Sequence, residues 1–154
     1  SNLMCPPPCP PLPRSVLAVD VGRRRVGLAG CDSLGISVRP LKPLRRQRFA
    51  TDMEQLRTLC KSRGVVALVV GLPLLPNGQE GNQCRQCRRY GQAMAHSLGL
   101  PLAWVDERYT SWAAGEMTGL WADGSGQLDS AAAVLILSQW LAEGPEPIPP
   151  GPLT

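Results

Sequence analysis

Several things are missing from this sequence, and each absence removes a class of function. No apolar run reaches the roughly 18–20 residues that a membrane span needs. No apolar run precedes Ser15, and Arg14 is the one positive charge there, so no secretory leader is expected. The only histidine, His96, has no second one to share a metal, and Cys84-x-x-Cys87 has no second pair to complete a zinc site. Lysine and arginine stop at Arg108: all 16 lie at or before it, against seven of the 12 acids. Within 154 residues there is room for neither the second domain nor the second phosphate loop of an actin-like kinase.

What is present reads as one domain with a real core. Eleven of the 16 prolines fall in Cys5–Pro13 or Pro145–Pro152. The expected organisation is a disordered or extended Pro/Cys-rich tail over 1–13, one folded domain over 14–143, and a disordered or extended Pro-rich tail over 144–154. Fourteen of the 16 bases are arginine, which suits bidentate contact with phosphate, so a polyanion such as nucleic acid is the expected partner. Cys84, Cys87, Gly91, Met94 and Leu98 recur at helical spacing, so these cysteines read as core. Structural cysteines imply a reducing compartment, hence the cytoplasm, or an organelle if this is an organellar copy of a bacterial-type protein.

Val16–Val21 (VLAVDV) is apolar on both parities, the mark of a central strand covered on both faces, and only Asp20 breaks it. Gly22 and Gly27 bracket Arg23-Arg24-Arg25, and Val26–Gly30 completes a hairpin. Ile36–Leu44 reads as a third strand, edge-like or irregular because of Pro40 and Pro43. Thr51-x-x-Glu54 has the form of a capping box and opens a helix over 51–62. There follow a strand over Val65–Gly71, a loop turning at Asn77-Gly78, a helix over Gln83–Leu98 and a strand over Leu102–Asp106. Helices over Ser111–Trp121 and Ser130–Leu141 close the chain. Hairpins first and alternation afterwards predict an α/β fold with a mixed five-stranded sheet, its first three strands antiparallel and the rest parallel, flanked by helices.

Three acidic positions fall at element ends that this topology brings to one sheet edge: Asp20, Asp106-Glu107, and Asp129 before the last helix. Each has a plain alternative, Asp129 as a helix N-cap and Glu107 as a partner of Arg108. Carboxylates converging on a small gap repel unless divalent cations lie between them, and two Mg²⁺ or Mn²⁺ about 3.5–4 Å apart are the usual solution in phosphodiester hydrolysis. Arg23, Arg24, Arg25 and Arg108 are candidate phosphate contacts. Trp104, Tyr109, Trp112 and Trp121 surround the Asp-Glu-Arg segment, where one could stack on an unpaired base.

The segments LAVDVGRRRVGLAGCD, VVGLPLLPNGQEG, LGLPLAWVDERYTS and LDSAAAVLILSQWL resemble, in order and spacing, the YqgF/RuvX family. The resemblance covers Ser15 to Leu141 and implies an RNase H-like fold and a metal-dependent nuclease. Members are associated with trimming the 5′ end of the small-subunit (16S) ribosomal RNA precursor and were earlier described as Holliday-junction resolvases. Mapped by motif, the family's acids are Asp20, Glu107 and Asp129, the set that would be both catalytic and metal-binding. The resemblance leaves three readings: an RNA endonuclease, a resolvase of four-way DNA junctions, or a non-catalytic RNA-binding ribosome-assembly factor. The protein would be a monomer or a homodimer, a resolvase requiring the dimer. The sequence departs from the family in lacking basic residues just before Asp129, in a shortened stretch between Glu107 and Asp129, and in alanine at 113 and 114 where a glutamate is common. These departures bear on substrate grip more than on chemistry.

Overall fold

The computed structural model describes residues 15–32, 34, 37–107 and 130–151. Its elements are β1 (Ser15–Val21), β2 (Arg25–Cys31), β3 (Val38–Arg45), α1 (Phe49–Arg63), β4 (Val65–Leu72), α2 (Asn82–Leu98), β5 (Leu102–Asp106) and α3 (Ala131–Glu143). The helix expected over Ser111–Trp121 lies outside the described residues. The sheet order is β3-β2-β1-β4-β5. β1, β2 and β3 pair antiparallel, while β4 and β5 run parallel to β1. This is the mixed five-stranded sheet the element order predicts, with β1 at its centre.

Alternation within the strands divides the core in two. Leu17, Val19, Leu68 and Val70 face α1 and α2, meeting Met53, Leu56, Cys87 and Met94. Val16, Ala18, Val69 and Val105 face the other way, onto Ile136, Leu137 and Trp140 of α3. Each fully buried side chain of Val or Leu size contributes about 1.5–3 kcal/mol. Cys84 and Cys87 are buried and free of disulfides, as the stripe reading requires, and so are Cys31 and Cys60. No helix among the described residues is long and apolar enough to cross a membrane.

The helix α1 starts earlier than expected. Its N-cap is Arg48, and Thr51 lies inside the first turn, so Thr51 and Glu54 form no capping box. Asp52 does the work instead: its Oδ1 accepts from Gln47 N at 3.0 Å, and its Oδ2 lies 3.5 Å from the Tyr90 hydroxyl. A carboxylate only 1% exposed is tolerable there because both oxygens have polar neighbours.

Two long-range contacts complete the frame. The β2–β3 register shifts between Val26, opposite Leu44, and Leu28, opposite Leu41. The bulge spans Lys42 and Pro43, and proline has no N–H for the ladder. Ser130 repairs it, for its hydroxyl accepts from Leu28 N at 3.1 Å and donates to Leu41 O at 2.7 Å. That bridge fixes the start of α3 over β2 and β3. After α3, the proline-rich segment from 144 onward makes contacts with the body at Pro145 and Ile148. Ile148 exchanges two backbone hydrogen bonds with Leu102, and Trp140 Nε1 donates to Pro145 O at 2.6 Å. Proline-rich composition limits helix and ladder formation, but it leaves an extended segment able to lie along a sheet edge.

Candidate active site

β1 carries Asp20 to the edge where β1, β4 and β5 all end. In the parallel ladders Val19 is level with Val70, Gly71 with Val105, and Leu72 with Asp106. Asp20 therefore lies beside Gly71, with Glu107 one residue beyond the end of β5. By alternation Asp20 shares the α3 face of the sheet with Val16 and Ala18. For Glu107 to meet Asp20 its side chain must cross β4, and Gly71 is where it crosses. A Cβ at Gly71 would collide with the Glu107 carboxylate and lie 2.5 Å from Ile136 Cδ1. Only glycine leaves that passage open.

The two carboxyls are hydrogen-bonded to each other. Burial, the charge of Asp20 and the shared bond push Glu107 up to about 8, with Asp106 adding to the same direction. Burial also raises Asp20, while the bond from Glu107 works against that rise. The pair thus holds a proton at neutral pH that two isolated carboxyls would have released. A divalent cation can replace that proton, and carboxylate oxygens suit a hard ion, so the donor set fits one. Among the described residues no group of three or more histidine, cysteine or acidic side chains could hold a metal ion, so a third donor would come from elsewhere in the chain.

Of the expected site residues, Asp20 and Glu107 are brought together, whereas Arg108 and Asp129 lie outside the described residues. Ser130, which follows Asp129 directly, is pinned through Leu28, and Leu28 pairs with Val19 beside Asp20. Arg23, Arg24 and Arg25 are exposed on the β1–β2 turn. That turn is held by Gly22 N donating to Arg25 O at 3.0 Å, and by Arg46, which donates from its backbone to Arg24 O and from its guanidinium to Gly22 O. Of the three arginines only Arg23 lines the cavity described next. Trp104 is half-buried under Arg88, whose guanidinium lies 5.1 Å from the ring centre, while Tyr109, Trp112 and Trp121 lie outside the described residues.

Sequence reasoning passed over a cleft of about 490 Å³ between the β1–β2 turn, the start of α1 and α2. Arg23, Arg46, Phe49, Arg89 and Tyr90 line it, and Cys87 forms part of its floor. Cys87 also donates to Gly71 O at 3.1 Å, and its thiol is pushed up to about 12 by burial and by the nearby Glu107 and Asp20 charges. Val21 and Gly22, which follow Asp20, also line the cleft, so it opens at the same strand end as the acid pair but on the opposite face of the sheet. One signal was available in advance: Phe49 is the only phenylalanine in the chain.

Comparison with known proteins agrees with this architecture. The family RuvX, described as Holliday junction resolvase, matches residues 14–143. A protein of Synechococcus sp. (strain CC9605), provisionally named a pre-16S rRNA nuclease, is 60% identical over 136 residues, 88% of this chain and 86% of that one. One of the same name from Prochlorococcus marinus (strain MIT 9211) is 50% identical, covering 89% of this chain and 94% of that one. Among solved structures, T. thermophilus RuvC in complex with a Holliday junction substrate superposes with a TM-score of 0.53 at 13% identity, covering 88% of this chain and 99% of that chain. At that identity the likeness establishes the RNase H-like fold alone. With the match running from before β1 to the end of α3, the chain belongs to the RuvX family.

Proposed function

We propose that this protein is a divalent-metal-dependent endonuclease that hydrolyses a phosphodiester bond near the 5′ end of the pre-16S rRNA, a step of ribosome biogenesis. The observation that carries this reading is the Asp20–Glu107 pair, two hydrogen-bonded carboxyls at a sheet edge reached through Gly71. The names of the relatives supply the substrate class.

Asp20 and Glu107 would hold the metal, as Mg²⁺ or Mn²⁺, with Asp129 as third ligand because it is bonded directly to the pinned Ser130. Two such ions would supply activation of the attacking water and stabilisation of charge on the leaving oxygen. The residues do the rest. Burial and mutual repulsion leave Asp20 and Glu107 poised to exchange a proton for a cation, and the α3 face keeps their carboxyls in place. Arg23, Arg24 and Arg25 on the turn and Arg108 beside Glu107 are the substrate-binding candidates.

The test uses the protein and its Asp20→Asn variant with Mg²⁺ or Mn²⁺ on an RNA spanning the 5′ boundary of the small-subunit rRNA. Expected is metal-dependent cleavage that falls about 100-fold or more in the variant. Cleavage retained by pure Asp20→Asn overturns the assignment. The family description favours one second reading, a resolvase, so a four-way DNA junction is run in parallel. Cleavage of the junction alone would establish that reading. Binding of the RNA with cleavage of neither substrate would make this a non-catalytic assembly factor.

A further inference from the structure

The cleft beside the acid pair has a chemistry of its own. One wall is aromatic: Phe49, 41% exposed, meets Tyr90 edge-on with ring centroids 5.7 Å apart. Arg46 lies over the Tyr90 ring at 4.7 Å and is anchored by Gly22 O, so its guanidinium plane is held in place at the rim. The other charges nearby divide into tied and untied. On α2, Arg85 donates to Glu80 O, and Arg88 is tied to the Glu80 carboxylate at 2.7 Å. Neither Arg23 nor Arg89 is paired with a carboxylate among the described residues, and both open onto the cleft. Gln83 and Gln86 add amide groups that can both donate and accept.

We infer that this cleft holds one unpaired nucleotide of the substrate strand, its base against Phe49 and its phosphate on Arg23 and Arg89. The inference rests on the nuclease reading and locates a nucleotide flanking the bond to be cut. Three observations point to a nucleotide and not to a simple anion. A flat ring is exposed beside a fixed guanidinium plane, the two surfaces on which bases stack. The volume falls within the 300–1,000 Å³ range typical of small-ligand sites. Val21 and Gly22, which follow Asp20 directly, also line the cleft, so a strand laid over the end of β1 would reach from the cleft to the acid pair on the other face of the sheet. A base can enter only when it is out of a helical stack, so the site favours RNA that is single-stranded beside the cut. Such a site also supplies grip to a chain without basic residues just before Asp129.

The test is a binding cycle in the Asp20→Asn chain, where cleavage does not intervene. The probe is a fluorescein-labelled RNA of the precursor's 5′ boundary, in a series with one nucleotide at a time made abasic. At one position, loss of the base is expected to weaken binding by about 5- to 150-fold, and Phe49→Ala is expected to erase that difference. Abasic effects that are the same with and without Phe49→Ala at every position would overturn the inference. Arg89→Gln should lower the slope of log K against log salt by about 0.7, the value of one single-strand phosphate contact, and an unchanged slope would remove the phosphate from the cleft. Phe49 and Arg89 are exposed, so both variants should keep the parent's melting temperature within a few degrees. Cleavage by the unmodified protein is scored separately. Coupling without cleavage keeps the cleft and discards the nuclease reading, whereas cleavage without coupling does the reverse.

Discussion

Asp20 and Glu107 were legible as single residues because a charge at the end of an apolar strand is expensive enough to need a reason. Their mutual bond was not legible, since it depends on a third residue, Gly71, on the strand between them. The bond has a consequence for stability. An unfolded glutamate titrates near 4.5, while Glu107 in the folded chain holds its proton to about 8. The folded protein therefore binds more protons across that window, and stability falls as pH rises through it. Below the window both states are protonated and the penalty is absent. With EDTA present, the melting temperature should drop between about pH 5 and pH 8.5, and Glu107→Gln should flatten that part of the slope. A divalent cation bound by the pair would take the proton's place, so its affinity should rise with pH over the same range. A flat profile in EDTA would mean that the carboxyls do not share a proton.

Among the elements, those with a strong period were readable and those held by distant partners were not. The strands β1 and β4 and the stripe on α2 were recognisable because apolar residues repeat at the strand or helix period. The start of α1 was misplaced because a local pattern at Thr51 suggested a cap, while Asp52 reaches back to Gln47 and across to Tyr90. The β3 strand was rightly expected to be irregular and at the edge, but the repair of its bulge by Ser130, 89 residues beyond Leu41, has no local signature. Ser130 is 0% exposed, and removing its hydroxyl leaves Leu28 N and Leu41 O buried without that partner. Ser130→Ala should therefore cost about 1–3 kcal/mol in urea unfolding, with an unchanged m-value. Because Asp129 is the preceding residue, activity should fall as well. A loss of activity with no loss of stability would mean that Ser130 does not act as an anchor.

For the molecule as a whole, the segment after α3 shows what composition leaves open. Its prolines predict a disordered or extended segment without saying where it lies, and Pro145 and Ile148 meet Trp140 and the start of β5. That contact is at Leu102, the opposite end of β5 from Asp106 and Glu107. A chain ending at Glu143 should lose about 1–3 kcal/mol with the three hydrogen bonds, seen as a melting temperature lower by several degrees. Cleavage at a temperature well below melting should be unchanged. A strong loss of activity in the folded, shortened chain would show that the segment reaches the site by another route.

The sequence by itself determined the sheet, its split into antiparallel and parallel halves, and the acids at its edge. These follow from periods of 2 and 3.6 residues and from the cost of burying charge, all of which act within a few positions along the chain. Tertiary structure decided which groups meet: Glu107 crossing Gly71 to Asp20, Ser130 closing the β3 bulge, and Arg23, Phe49 and Arg89 walling one cleft. Those contacts depend on strand register and on which face a helix covers. Both are set by packing the whole core at once, and no short stretch of residues contains them.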